Sequence, residues 1–211
     1  MNGPLRTTAL EIVDDEGRVC ARLAAGEEGR VGLELIDATG AVRARLALGA
    51  DGAARLELRD ASGRPRAVLS AKEGTSFELR DPSGRERVSL GEHPNDATAL
   101  RLSDLDGVLR VGLGAWADLS AGLELSDPQG RKRLGVTERP GGPAGVNVWD
   151  AAGHLRAVLA MGPEPDRGAS VEFWDAEGEY RAGFGVWPDD EVGADIPDAT
   201  TGTGTDVAQR D

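Results

Sequence analysis

Cysteine, histidine and aromatic residues are scarce in this chain: one Cys, two His, four Trp, three Phe and one Tyr among 211 residues. A single Cys20 excludes an intramolecular disulfide framework, and no Cys/His grouping has metal-ligand spacing. His93 and His154 have no nucleophile or carboxylate at motif spacing, so nothing points to a catalytic dyad or triad. No apolar run is long enough to span a bilayer, and the first ten residues hold no apolar signal core, which predicts a cytoplasmic protein. Basic clusters are missing too. The formal charge is −13, and nucleic acids and anionic membranes draw their affinity from Lys and Arg, so neither is expected as a partner.

What the chain has is a repeat. Asp is followed by Gly three residues later at Asp14, Asp37, Asp60, Asp81, Asp104, Asp127, Asp150 and Asp175, at steps of 23, 23, 21, 23, 23, 23 and 25 residues. Arg follows each Gly at the third position, except in the first unit, where Cys20 stands there. A fixed period of this length means that one supersecondary element buries its apolar side only against its neighbours.

Within each unit the residues four and two before Asp are apolar, as in Leu33/Leu35 and Val171/Phe173. So are the residues four and six after Gly, as in Ala44/Leu46 and Ala182/Phe184. Alternation at period two over such short runs predicts half-buried strands, two per unit. Between them, Asp can accept from the backbone two residues on and Gly can end a type I turn in the left-handed region. This predicts an all-β array of eight hairpin units over residues 1–187, followed by a disordered acidic tail over 188–211 that carries −6 of the charge.

A simple four-residue loop would set Glu34 opposite Arg43, Glu57 opposite Arg66, Glu78 opposite Arg87, Glu124 opposite Arg133 and Glu172 opposite Arg181. That charge pairing favours antiparallel hairpins over the alternative, a two-sided parallel β-solenoid. In either architecture the apolar face must be covered, by coiling of the array or by oligomerisation.

One feature breaks the regularity. Trp149 and Trp174 stand immediately before the turn Asp in the last two units, where earlier units have Val13, Ile36, Arg59, Arg80, Ser103 and Ser126. Alternation puts both on the polar side, with Trp149 opposite His154 and with Asn147, Arg156, Glu172 and Arg181 nearby. Two outward indoles beside polar groups suit a partner chain or a sugar ring, and an atypical end unit also suits a cap. The eight Asp residues offer one regular oxygen donor group per turn, which a turn-capping role explains without calcium.

The expectation is therefore a structural or protein-interaction repeat protein, without enzymatic activity or cofactor, that binds a protein partner or itself. The alternative is a carbohydrate- or small-ligand-binding module using the same Trp residues.

Overall fold

The computed structural model describes residues 6–26, 31–49, 51–72, 74–93, 97–162, 168–186, 192–197 and 204–206, all of them in strands, turns or irregular segments. Two units divide the chain, Met1–His93 and Pro94–Asp211. The first contains β1 (Ala9–Val13), β2 (Val19–Ala25), β3 (Val31–Ile36), β4 (Val42–Leu48), β5 (Ala54–Arg59), β6 (Pro65–Ala71), β7 (Thr75–Arg80) and β8 (Glu86–His93). The second contains β9 (Ala97–Ser103), β10 (Leu109–Ala115), β11 (Ala121–Ser126), β12 (Lys132–Glu138), β13 (Ala144–Trp149), β14 (Leu155–Met161), β15 (Ala169–Trp174), β16 (Tyr180–Val186), β17 (Val192–Pro197) and β18 (Gly204–Asp206).

Inside each unit every strand pairs antiparallel with the next in sequence. Successive hairpins are thus the architecture. A parallel solenoid would pair equivalent strands of neighbouring repeats, and these ladders leave it no place.

All eight Asp-x-x-Gly segments fold alike. The Gly N–H donates to the Asp carbonyl and the Asp N–H to the carbonyl of the residue after Gly. One Asp oxygen accepts from the backbone N–H groups two and four residues on, as Asp37 does from Thr39 and Ala41 at 2.9 and 3.1 Å. The Gly is left-handed, with φ 83° at Gly40, a conformation that costs other residues energy through their Cβ. The same closure recurs at Trp116–Leu119, where Leu119 takes φ 65° without being Gly.

This turn is followed by a bulge, and the bulge changes the register. Ile36 pairs with Val42 but Leu35 pairs with Ala44, so Arg43 is the extra residue on its strand. The expected opposition of Glu34 and Arg43 is therefore incorrect: Glu34 faces Arg45. In the other units Glu57 faces Val68, Glu78 faces Ser89, Glu124 faces Gly135 and Glu172 faces Gly183. Alternating charge does run across the first five strands, as Glu11, Arg22, Glu34, Arg45 and Glu57, but it is carried by the Arg five residues after Gly.

The Arg three residues after Gly turns back to brace two hairpins. The Arg156 guanidinium reaches Asp150 of its own turn at 3.3 Å and the Trp174 carbonyl of the next hairpin at 2.9 Å. Arg110 does the same with Asp104 and Ser126, and Arg66 with Asp60 and the Arg80 carbonyl. Arg43 joins Asp37 to the Asp60 carbonyl. The acceptors in the next hairpin lie 14 to 18 residues along the chain, so each brace ties consecutive repeats together.

The array also runs past residue 187. β17 pairs with β16, with Phe184 opposite Ala194, which corrects the expectation of a structureless tail for Val192–Pro197. Val192, Ala194 and Ile196 alternate with Gly193 and Asp195, and that short pattern is enough to add a strand when β16 already offers its edge. The expected domain boundary at 187/188 and Trp187 lie outside the described residues.

Burial is the reverse of what alternation implies. Val68, flanked by Glu57 and Glu78 on the polar side, is 1% exposed, whereas the Leu rows on the other side are open. Arg55 and Arg59 lie against Glu57, whose side chain is 13% exposed. Long Arg stems laid over the small residues and carboxylates of that side exclude water from it.

Candidate interaction surface

The second unit carries the Trp residues. Trp149 ends β13 on the same side of the sheet as Asn147, and its indole lies over Gly135 of β12: a Cβ there would meet the ring at 3.2 Å. Gly occupies the position that holds Arg22 and Arg45 in the first unit, and the missing side chain makes room for the indole. The Lys132 ammonium stands 5.6 Å from the Trp149 ring centre, a cation–π geometry, and also pairs with Glu124. Trp149 is half-buried as a result.

Trp174 ends β15 and pairs with Tyr180, their rings edge to face at 6.0 Å. Burial, together with the nearby Asp195 and Glu172 charges, pushes the Tyr180 hydroxyl above its ordinary pKa. Glu172 accepts from the Ser170 hydroxyl at 2.8 Å.

Trp149, Asn147, Glu172 and Trp174 therefore share one side of β13 and β15, as alternation predicts. The other expected members are drawn to the turns. His154 is exposed and lies 3.6 Å from Asp150, and the bulge sets Leu155 rather than His154 opposite Trp149. Arg156 is the brace described above, and Arg181 closes onto Asp175. Backbone donation from His154 holds Asp150 below the usual carboxylate range, and donation from Glu179 does the same for Asp175. Beside Asn147 is a shallow depression of about 220 Å³, lined also by Thr137, Arg139 and Val158.

The larger surface is the apolar side, which the chain leaves open instead of coiling over it. In the second unit Leu100, Leu113, Leu123, Val136, Val146, Leu159, Val171 and Phe184 form one unbroken cross-strand ladder. Phe184 is 54% and Leu113 51% exposed. A depression of about 420 Å³ lies on it, among Leu113, Leu123, Val136, Val146, Leu159 and Met161. The first unit presents the equivalent ladder from Leu10 to Leu90.

No group of three or more His, Cys, Asp or Glu among the described residues has a metal-binding arrangement. Both oxygens of most turn Asp side chains are taken, one by backbone N–H groups and the other by Arg, as at Asp14, Asp37 and Asp127. Among the described residues no helix is long and apolar enough to cross a membrane.

No family model and no curated protein matches the sequence. Among solved structures, TcdB2-TccC3 is similar at 12% identity and a TM-score of 0.27, over 87% of this chain and 12% of that one. The TcdB2-TccC3-Cdc42 structure is similar at 12% identity and a TM-score of 0.28, over 92% of this chain and 12% of that one. The chain thus spans about an eighth of the length of these structures.

Proposed function

We propose that the chain is a non-enzymatic, cytoplasmic repeat protein with a structural or protein-interaction role, and that its working surface is the broad apolar side of the hairpin sheet. The observation that carries this reading is the exposure of the Leu ladders, since contiguous apolar patches above a few hundred Å² mark interaction sites on soluble proteins. The polar residues support it from the other side. Asp150, Arg156, Asp175 and Arg181 are engaged in holding turns, which leaves them poor candidates for chemistry.

The second reading is a carbohydrate-binding module. The half-exposed Trp149 beside the Asn147 depression favours it, because a sugar ring stacks on an indole and bonds to an amide.

One comparison separates them. An environment-sensitive apolar dye should fluoresce on the full chain, lose much of its signal in Leu113→Lys/Val136→Lys, and keep it in Trp149→Ala/Trp174→Ala. A glycan array should stay blank. Glycan binding that disappears with the two Trp substitutions, together with a dye signal indifferent to the lysines, would overturn the proposal in favour of the second reading.

A further inference from the structure

We infer that the apolar side of the first unit is a self-recognition surface whose occupant is the same surface of a second copy of this chain. This rests on the interaction reading above and names the partner.

The area is sufficient. Fourteen large side chains from Leu10 to Leu90 on this face are between 37% and 61% exposed. Together they offer roughly 1,000 Å², against about 800 Å² per partner in a stable interface. The composition excludes a polar occupant. From β1 through β7 every inward-register position on this face is Leu, Ile, Ala, Val, Phe or Thr, and the first charge is Glu92 in β8.

Width then narrows the choice. Eight strands at about 4.8 Å spacing span roughly 34 Å across the sheet. A helix about 10 Å in diameter or a single extended peptide would leave most of the ladder wet. The occupant that matches is another sheet, stacked about 10 Å away with its own apolar side inward.

Shape points to a copy of the same sheet. Beside the continuous Leu ladder runs a second row, which reads Ile12, Ala21, Leu35, Ala44, Leu58, Ala67, Leu79 and Val88 in cross-strand order. Large and small alternate strand by strand through its first seven positions, producing knobs and hollows about two strand spacings apart. An identical row displaced by one strand sets each knob over a hollow, the interdigitation that close packing between layers requires. A two-fold axis makes this contact isologous and closes the assembly at a pair.

The test uses the full chain. Size-exclusion chromatography with light scattering should give twice the chain mass for the wild type and the single-chain mass for Leu33→Lys/Leu56→Lys. Far-UV circular dichroism should be unchanged, since both side chains are already exposed. Cross-linking fixes the face. Leu56→Cys in a Cys20→Ser background should yield a covalent dimer with a short bis-maleimide, while the wild type, whose only thiol is on the other side, should not. A wild type of single-chain mass at every concentration, a dimer that survives the two lysines, or cross-linking through Cys20 alone would each overturn the inference. A monomer that still binds the apolar dye would overturn self-pairing while leaving the interaction reading standing; glycan binding lost with the two Trp residues would remove that reading itself.

Discussion

The Arg156 guanidinium donates to the main-chain carbonyl of Trp174, 18 residues away, at 2.9 Å. It thereby fastens the turn of one hairpin to the end of the next. Replacing it with Ala removes this bond and the contact with Asp150. The expected loss is about 1 kcal/mol, allowing for a side chain 39% exposed. Thermal denaturation should show a midpoint lower by roughly 2–4 °C, the scale expected for a chain of this size. Lys, which lacks the fork of donors, should not restore it.

Cys20 stands at the position from which Arg43, Arg66, Arg110, Arg133 and Arg156 brace their hairpins to the next. Cys20→Arg should place a guanidinium within reach of the Ile36 carbonyl, the position equivalent to Trp174. The expected outcome is a gain of about 0.5–1 kcal/mol, the usual net value of one hydrogen bond. Hydrogen exchange should show it as slower exchange in β2 and β3, and no change there would mean that the brace depends on its own context.

Leu119 occupies a left-handed turn position, φ 65°, that Gly fills in the eight Asp-x-x-Gly turns, and it is 75% exposed. Leu119→Gly relieves the Cβ strain and loses almost no packing. A stabilisation of roughly 1 kcal/mol is expected, read from the denaturation midpoint.

The turn carboxylates set an acid limit. Donation from the Thr39 hydroxyl holds Asp37 far below the ordinary carboxylate value, and Ser62 and Ser83 lower Asp60 and Asp81. Groups whose folded pKa is depressed stabilise the fold above the unfolded value and stop doing so as pH falls through the folded one. Stability should therefore decline below about pH 4 and continue to fall toward pH 2. Circular dichroism against pH checks this, and Asp60→Asn should flatten the dependence in proportion to its share.

The hairpin architecture was legible because Asp-x-x-Gly dictates a local hydrogen-bond pattern and because alternation is unambiguous in strands of six or seven residues. Register was not. The bulge after Gly adds one residue to one strand, and nothing in Val42-Arg43-Ala44 distinguishes a bulged Arg from a paired one until the ladder is seen. The Trp side was legible by parity, while the partners that position it were not. Lys132 and Gly135 acquire meaning only through cross-strand neighbours, although Gly standing where Arg22 and Arg45 occur was a signal that something large needed the space. The apolar rows were legible too, but not whether the array coils over them or leaves them open. Alternation tells which residues share a side, and it does not tell whether that side is covered within the chain.

The brace has one more property. It begins at a side chain, but it ends on a main-chain oxygen, which every amino acid supplies. A hairpin therefore makes no demand on the identity of the residue that receives its Arg. Units can be duplicated, deleted or exchanged without re-matching their neighbours, so the length of such an array is free to drift by whole repeats while each junction keeps the same fastening.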